Sequence, residues 1–296
     1  MTTVPLPAPA RYFPVREAPL RMEPGLRRLG EDLGNGERDR LFFQVDRERQ
    51  RALAEKRRIG AGAALARDES AARAHARVLA WMAETLRREH PSLFRRARLD
   101  SLEAVAPEVQ EDFAVVERGA DGAGRATAVC VSFPSGWRPE RVLGASFAAI
   151  HRPVPGFAQV PAAAASMVRA MVERGPYLRF VWTVVPDAEL DRHPDRLRAV
   201  PWERAERGWL RVERQVSVPF PEVGAALFLI RTYLYPFDEL SARERRVLGI
   251  ALASLAPEIR RYKRLDEGAA KRAIALLNEA PRRRGGSSPA APRGRA

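Results

Sequence analysis

The stretch "WLRVERQVSVPFPEVGAALFLIRTYLY", residues 209–235, decides how the chain folds. In its first half Leu210, Val212, Val216 and Val218 fall on one side of an extended chain, with Arg214 among them. Arg211, Glu213 and Gln215 fall on the other side. Successive side chains of a strand point to opposite faces, so this alternation marks a strand with one face on a core. The second half repeats it, with Leu227, Leu229, Arg231, Tyr233 and Tyr235 sharing a face. The link "PFPEVG" is rich in turn formers, and a link this short joins antiparallel neighbours.

Three more strands are expected upstream. "DFAVVERGADGAGRATAVCVSF" (112–133) reads as a hairpin about a turn containing Asp-Gly, and "YLRFVWTVV" (177–185) as a single strand. Helices are expected on both sides of this β-rich centre. A charged one covers 46–59. A second lies in "RDESAARAHARVLAWMAETLRREHP", where His75, Val78, Leu79, Met82 and Leu86 recur at helical spacing up to Pro91. "PAAAASMVRAMVERG" begins with a proline suited to a first turn, and "LSARERRVLGIALASL" opens with the capping-box pair Ser241 and Glu244. The expected architecture is α+β: a mostly antiparallel sheet of about five strands flanked by N- and C-terminal helices. Residues 1–40 read as an extended arm, 41–280 as one domain, and the tail "PRRRGGSSPAAPRGRA" (281–296) as disordered and basic.

A formal charge of +14 raises the question of nucleic acid. Only Lys56, Lys263 and Lys271 are lysines among 51 basic residues, which, with the many alanines, reads as base-composition bias. Removing the five arginines of the tail leaves +9, spread along the chain, and no RNA- or DNA-binding module is recognisable, so a nucleic-acid partner is not expected. No apolar run approaches the ~18 residues of a membrane span. The N-terminus has no signal-peptide pattern, and the single cysteine, Cys130, excludes an internal disulfide, so a cytoplasmic location is expected. There is no Walker motif and no dinucleotide fingerprint. The glycines at 60, 62, 119, 122 and 124 read as turn or helix-start residues. No NAD(P), flavin or iron–sulfur site is evident.

Two features ask for a ligand. In "AAIHRPVPGFAQVP" (148–161) prolines at 153, 155 and 161 stiffen the backbone around His151. That suits a metal ligand or catalytic base, and equally a half-buried histidine at a strand-to-loop corner. Arg214 and Arg231 interrupt apolar rows, and a guanidinium on a half-buried sheet needs a partner. Internal carboxylates such as Glu213 or Glu111 would serve, and so would an anionic ligand gripped by planar forks. A fixed histidine with sheet arginines suggests haem, the imidazole binding iron and the arginines the propionates. Without a C-x-x-C-H motif the haem would be non-covalent. Cys130, Met167 and Met171 read better as core. His75 reads as core-edge, His90 as a helix cap and His193, in "DRHPD", as an exposed turn residue.

Five runs occur in order: "VQEDFAVVERG" (109–119), "FPSGWRPERVLGASFAAIHRPVPGF" (133–157), "LRVERQ" (210–215), "GAALFLIRTYLYPF" (224–237) and "RYKRL" (261–265). Through them the chain resembles the haem-dependent oxidative N-demethylase α-subunit-like family over roughly residues 40–265. The resemblance implies a PAS-like fold holding haem b. It also implies O2-dependent removal of a methyl group from a small amine such as dimethylamine, with formaldehyde released and electrons supplied by separate flavin and iron–sulfur subunits. Where the family usually has asparagine this chain has Val181, and where it usually has threonine, Val216. His151 is then the expected iron ligand, with Arg214 and Arg231 on the cofactor. Glu213, Tyr233 and Trp182 are the candidate catalytic residues, and Trp182, Trp209 and Tyr233 offer aromatic faces to an ammonium. A non-catalytic haem- or ligand-binding PAS-like sensor is the alternative.

Overall fold

The hairpin at 209–235 is the spine of the molecule. In a computed structural model that describes residues 5–17, 25–60, 65–156, 161–198 and 200–279, Trp209–Phe220 and Ala225–Pro236 pair antiparallel from Trp209↔Pro236 to Phe220↔Ala225. The link turns through Pro221–Val223 and closes on Gly224, whose φ of 65° lies in the left-handed region that glycine tolerates best. Numbered along the chain, the strands among the described residues are β1 (Arg27–Arg28), β2 (Leu65–Arg67), β3 (Asp112–Arg118), β4 (Gly124–Cys130), β5 (Tyr177–Val185), β6 (Trp209–Phe220) and β7 (Ala225–Pro236). The helices are α1 (Arg49–Ile59), α2 (Ala72–Glu89), α3 (Pro91–Phe94), α4 (Leu102–Val105), α5 (Phe147–His151), α6 (Pro161–Glu173), α7 (Ala242–Ala253), α8 (Pro257–Tyr262) and α9 (Glu267–Glu279).

The strands form one antiparallel sheet in the order β1-β5-β6-β7-β3-β4-β2. The five expected strands are its centre. The two unexpected ones, β1 and β2, are edge strands of two and three residues, too short to show an alternation. The tail at 281–296 lies outside the described residues.

Register assigns every strand residue to one of two faces. The core face carries Leu210, Val212, Val216 and Val218 of β6 beside Tyr235, Tyr233, Leu229 and Leu227 of β7. One half of it packs on Val78, Met82 and Leu86 of α2. The other half packs on Leu248 and Leu252 of α7, Ala273 and Leu277 of α9, and Tyr12 of the N-terminal segment. The Ser241–Glu244 capping box is formed at the start of α7. Among the described residues no helix is long and apolar enough to cross a membrane.

Candidate functional site

Among the described residues the second face is covered toward both strand ends, and over β4 by Trp137, Val142 and Ile150. At one end α6 lays Val168 and Met171 against Ala226, with Phe228 beside them. At the other, buried Arg211 donates to the carbonyls of Leu190 at 2.9 Å and Phe133 at 2.7 Å, pinning two loops to the sheet. Between these covers Arg179 and Val181 of β5, Gln215 and Glu213 of β6, and Phe228 and Ile230 of β7 are all half-buried on the same face. They form a half-buried patch of sheet between the covers, and groove denotes this patch.

His151 forms one wall. The Ser146 side chain caps α5 by accepting from the Ala149 amide at 3.1 Å, and Phe147 anchors the helix in the α6 cluster. The His151 ring stacks on Phe147 with centroids 4.0 Å apart, and its Nδ1 lies 2.8 Å from the Phe147 carbonyl. A carbonyl only accepts, so Nδ1 carries the proton and the lone pair of the neutral ring is on Nε2. Burial lowers the pKa below the usual histidine value, the Phe147 carbonyl opposes this, and the Arg179 charge reinforces it. At neutral pH His151 is therefore an uncharged imidazole held in one tautomer.

Arg179 is the unmatched charge on the floor. Among the described residues its side chain makes no hydrogen bond or salt bridge, and its Nε is buried without a partner. Glu213 accepts from Gln215 Nε2 at 3.0 Å and lies 3.7 Å from Arg211. The segment "RYKRL" packs beside β5, near enough for Tyr262 and Lys263 to interact electrostatically with Glu213. Lys263 donates to the Trp182 carbonyl, its Nζ 4.5 Å from the centre of the Trp182 ring, while Arg264 donates to the carbonyl of Gly136 in "FPSGW". Burial pushes the Lys263 pKa down from 10.5 to about 8 against the pull of Glu213.

That depression has a measurable consequence. Between pH 8 and 10.5 the unfolded lysine keeps a proton that the folded one gives up, so stability rises with pH across this window. Relative to Lys263→Met, the wild type is expected to gain stability as pH rises from about 8 to about 10.5, read by denaturant melts at each pH. A difference independent of pH would contradict the burial of this ammonium.

Residues 37–271 match the family described as haem-dependent oxidative N-demethylase, alpha subunit-like. The chain belongs to this family. The name of the N-demethylase α-subunit-like family carries haem dependence, and "alpha subunit" implies assembly with other subunits. The residues present fit haem. The groove offers a neutral imidazole with its Nδ1–H anchored to a carbonyl, the usual dress of a metal-binding histidine. Its floor combines apolar Val181, Phe228 and Ile230 with an orphaned guanidinium.

Of the residues expected to serve this N-demethylase-like site, the structure brings His151 and Glu213 to the groove. Arg214, Arg231, Tyr233 and Trp182 lie on the opposite, core face. Arg214 donates to the carbonyls of Leu41 at 2.7 Å and Phe42 at 3.3 Å. Arg231 pairs with Asp46 at 2.8 Å, not with Glu213 or Glu111, and Glu111 instead accepts the Gln44 amide at 2.8 Å. Tyr233 donates to Gln44 Oε1 within the same network. The reason is alternation itself: 214 and 231 share the face of the valines and leucines, and it was this face that became the core. Trp209 stays on the groove face, at its far end under Arg207, whose guanidinium lies 5.5 Å from the ring centre.

The remaining candidates fall outside the groove. Cys130 is buried on the core face beside Phe113, and burial pushes its thiol up to about 12. His75 reaches Thr127 Oγ1 at 3.2 Å, and His90 reaches the Phe43 carbonyl at 2.8 Å. His193, expected in an exposed turn, is only 5% exposed, with Nε2 3.2 Å from Glu140. Its turn is folded back onto the sheet by the Arg211–Leu190 bond. Of the two positions that depart from the family, Val181 is on the groove floor and Val216 is in the core. Arg179, Gln215 and Lys263 are not among the expected site residues, although alternation in "YLRFVWTVV" already places Arg179 on one face with Val181 and Thr183.

Proposed function

We propose that the chain is the haem-bearing subunit of an oxidative N-demethylase acting on a small N-methylated amine. Haem b would be held non-covalently in the groove, with the His151 imidazole binding its iron. The observation that carries this reading is the His151 imidazole, neutral and fixed by the Phe147 carbonyl, on the wall of a half-buried groove in a chain of this family. In support of a PAS-like fold, the first and last of the five long strands, β3 and β7, pair at the middle of the sheet.

The haem supplies oxygen activation when bound. In the net reaction O2, two electrons and two protons convert an N-methyl group to formaldehyde, the demethylated amine and water. The chain's own residues do the rest. Nδ1–H donation to Phe147 holds the His151 ring and raises the basicity of Nε2. Val181, Phe228 and Ile230 keep the floor apolar. Glu213, steadied by the Gln215 amide, offers a carboxylate to the substrate ammonium. Trp182 and Tyr233 face the core, so a cation–π role in the groove passes to neither. The electrons come from a partner subunit.

The test is reconstitution. The purified chain, supplied with haem, should develop a Soret band and, with a chemical electron donor, O2 and dimethylamine, release formaldehyde. With NADPH in place of that donor it should be inactive. A chain that takes up no haem would end this reading.

A further inference from the structure

The arginines of the sheet and its loops show a contrast. Arg211 has the carbonyls of Leu190 and Phe133, Arg214 those of Leu41 and Phe42, and Arg231 has Asp46. Arg192 has Asp187 at 2.7 Å, and Arg245 has the Leu240 carbonyl at 2.7 Å. Arg179 has no acceptor among the described residues, although it is half-buried on the groove floor. Thr183 Oγ1 and Ser217 Oγ, on the same face, are also buried without a partner. Tyr262 and, less strongly, Glu213 act on Arg179 electrostatically, but neither is hydrogen-bonded to it, and Glu213 is bonded to Gln215. Arg179 is half-buried, its Nε is shut off from water and none of its nitrogens has an acceptor among the described residues, so an acceptor from outside the chain would stabilise it. The planar fork of arginine matches a carboxylate in shape and charge.

We propose that Arg179 is the seat of a ligand carboxylate in the groove. Two carboxylates can reach such a seat: a propionate of the haem, or the acid group of a substrate that carries one beside its N-methyl group. The first source rests on the haem reading above; the second requires only the groove. For the second, Arg179 and Glu213 lie at successive positions of the floor, one cationic and one anionic, as a zwitterionic N-methylated amino acid would need.

The full-length apoprotein, its Arg179→Gln variant and Arg179→Lys would each be titrated with haem b and with haem dimethyl ester, whose propionates are esterified. If a propionate occupies the seat, Arg179→Gln weakens haem b roughly ten- to hundredfold. The gap then closes with the ester, and Arg179→Lys recovers part of the loss. If the seat belongs to substrate, haem affinities stay equal, and N-methylglycine shifts the Soret band of the wild type but not of Arg179→Gln. In both cases the apoprotein variant melts no lower than the wild type, because Arg179 has no protein acceptor to lose. A variant equal to the wild type in every titration, or an apoprotein markedly destabilised by the change, overturns the proposal. Should the wild type bind no haem, the haem reading falls separately. Arg179 is then judged on whether N-methylglycine raises the melting temperature of the wild-type apoprotein and not that of Arg179→Gln, and no such shift overturns the seat.

Discussion

His151→Ala, purified with haem in excess, is expected to show little or no Soret band, with haem affinity reduced by more than about a hundredfold. That exceeds the roughly 10- to 100-fold that loss of a mere hydrogen-bond partner of a metal ligand brings. The other three histidines cannot substitute. His75 is bonded at Thr127 and His90 at the Phe43 carbonyl, and His193 faces Glu140 beyond the pinned loop. Cys130 is on the wrong face of the sheet with its thiol kept protonated. His193→Ala should therefore keep the band, and free imidazole added to His151→Ala should restore part of it. An unchanged spectrum in His151→Ala would remove this residue as the ligand and turn attention to Met167, half-buried against the same apolar cluster as Phe228.

The second large effect is on stability and lies on the other face. Asp46 and Arg231 are each 3% exposed at their side chains and 2.8 Å apart, and Asp46 also accepts from Gln110 Nε2 at 3.0 Å. Asp46→Ala leaves the guanidinium buried and unpaired, a loss of about 3–5 kcal/mol. For a chain of this size that is a fall of roughly 5–8 °C in Tm. Replacing both partners, Asp46→Leu with Arg231→Met, should recover most of it, since an apolar pair of similar volume spares both charges their desolvation. The loss should be the same with and without haem, measured by thermal melts of both forms. A loss confined to the haem-loaded protein would instead place Arg231 on the cofactor. Arg179 is expected to behave in the opposite way, losing affinity and no apoprotein stability, so the two arginines together separate a structural charge from a functional one.

Much of this molecule is legible one residue at a time. The alternation in 209–235 marks both strands, the short link makes them antiparallel, and the Ser241–Glu244 spacing marks the start of α7 where it is found. Local geometry suffices for these, because a strand's period and a cap's hydrogen bonds involve only near neighbours. The runs that carry the family resemblance are also plain in the sequence, and they include His151, Glu213 and Lys263.

What the sequence determined was which side chains share a face; what it left open was which face would be covered. Alternation sorts Arg214 from Arg211 and Arg231 from Ile230 without saying which set meets solvent, a helix or a ligand. That was decided by segments far away in the chain. Residues 41–46 supply the carbonyls that take Arg214 and the carboxylate that takes Arg231, 185 positions from Asp46. Lys263 reaches the Trp182 carbonyl across 81 positions. Only with those partners in place does one sheet arginine, Arg179, remain without an acceptor. A charge looks alike in sequence whether it is satisfied or waiting, because its desolvation and its partners exist only once the chain has closed around it.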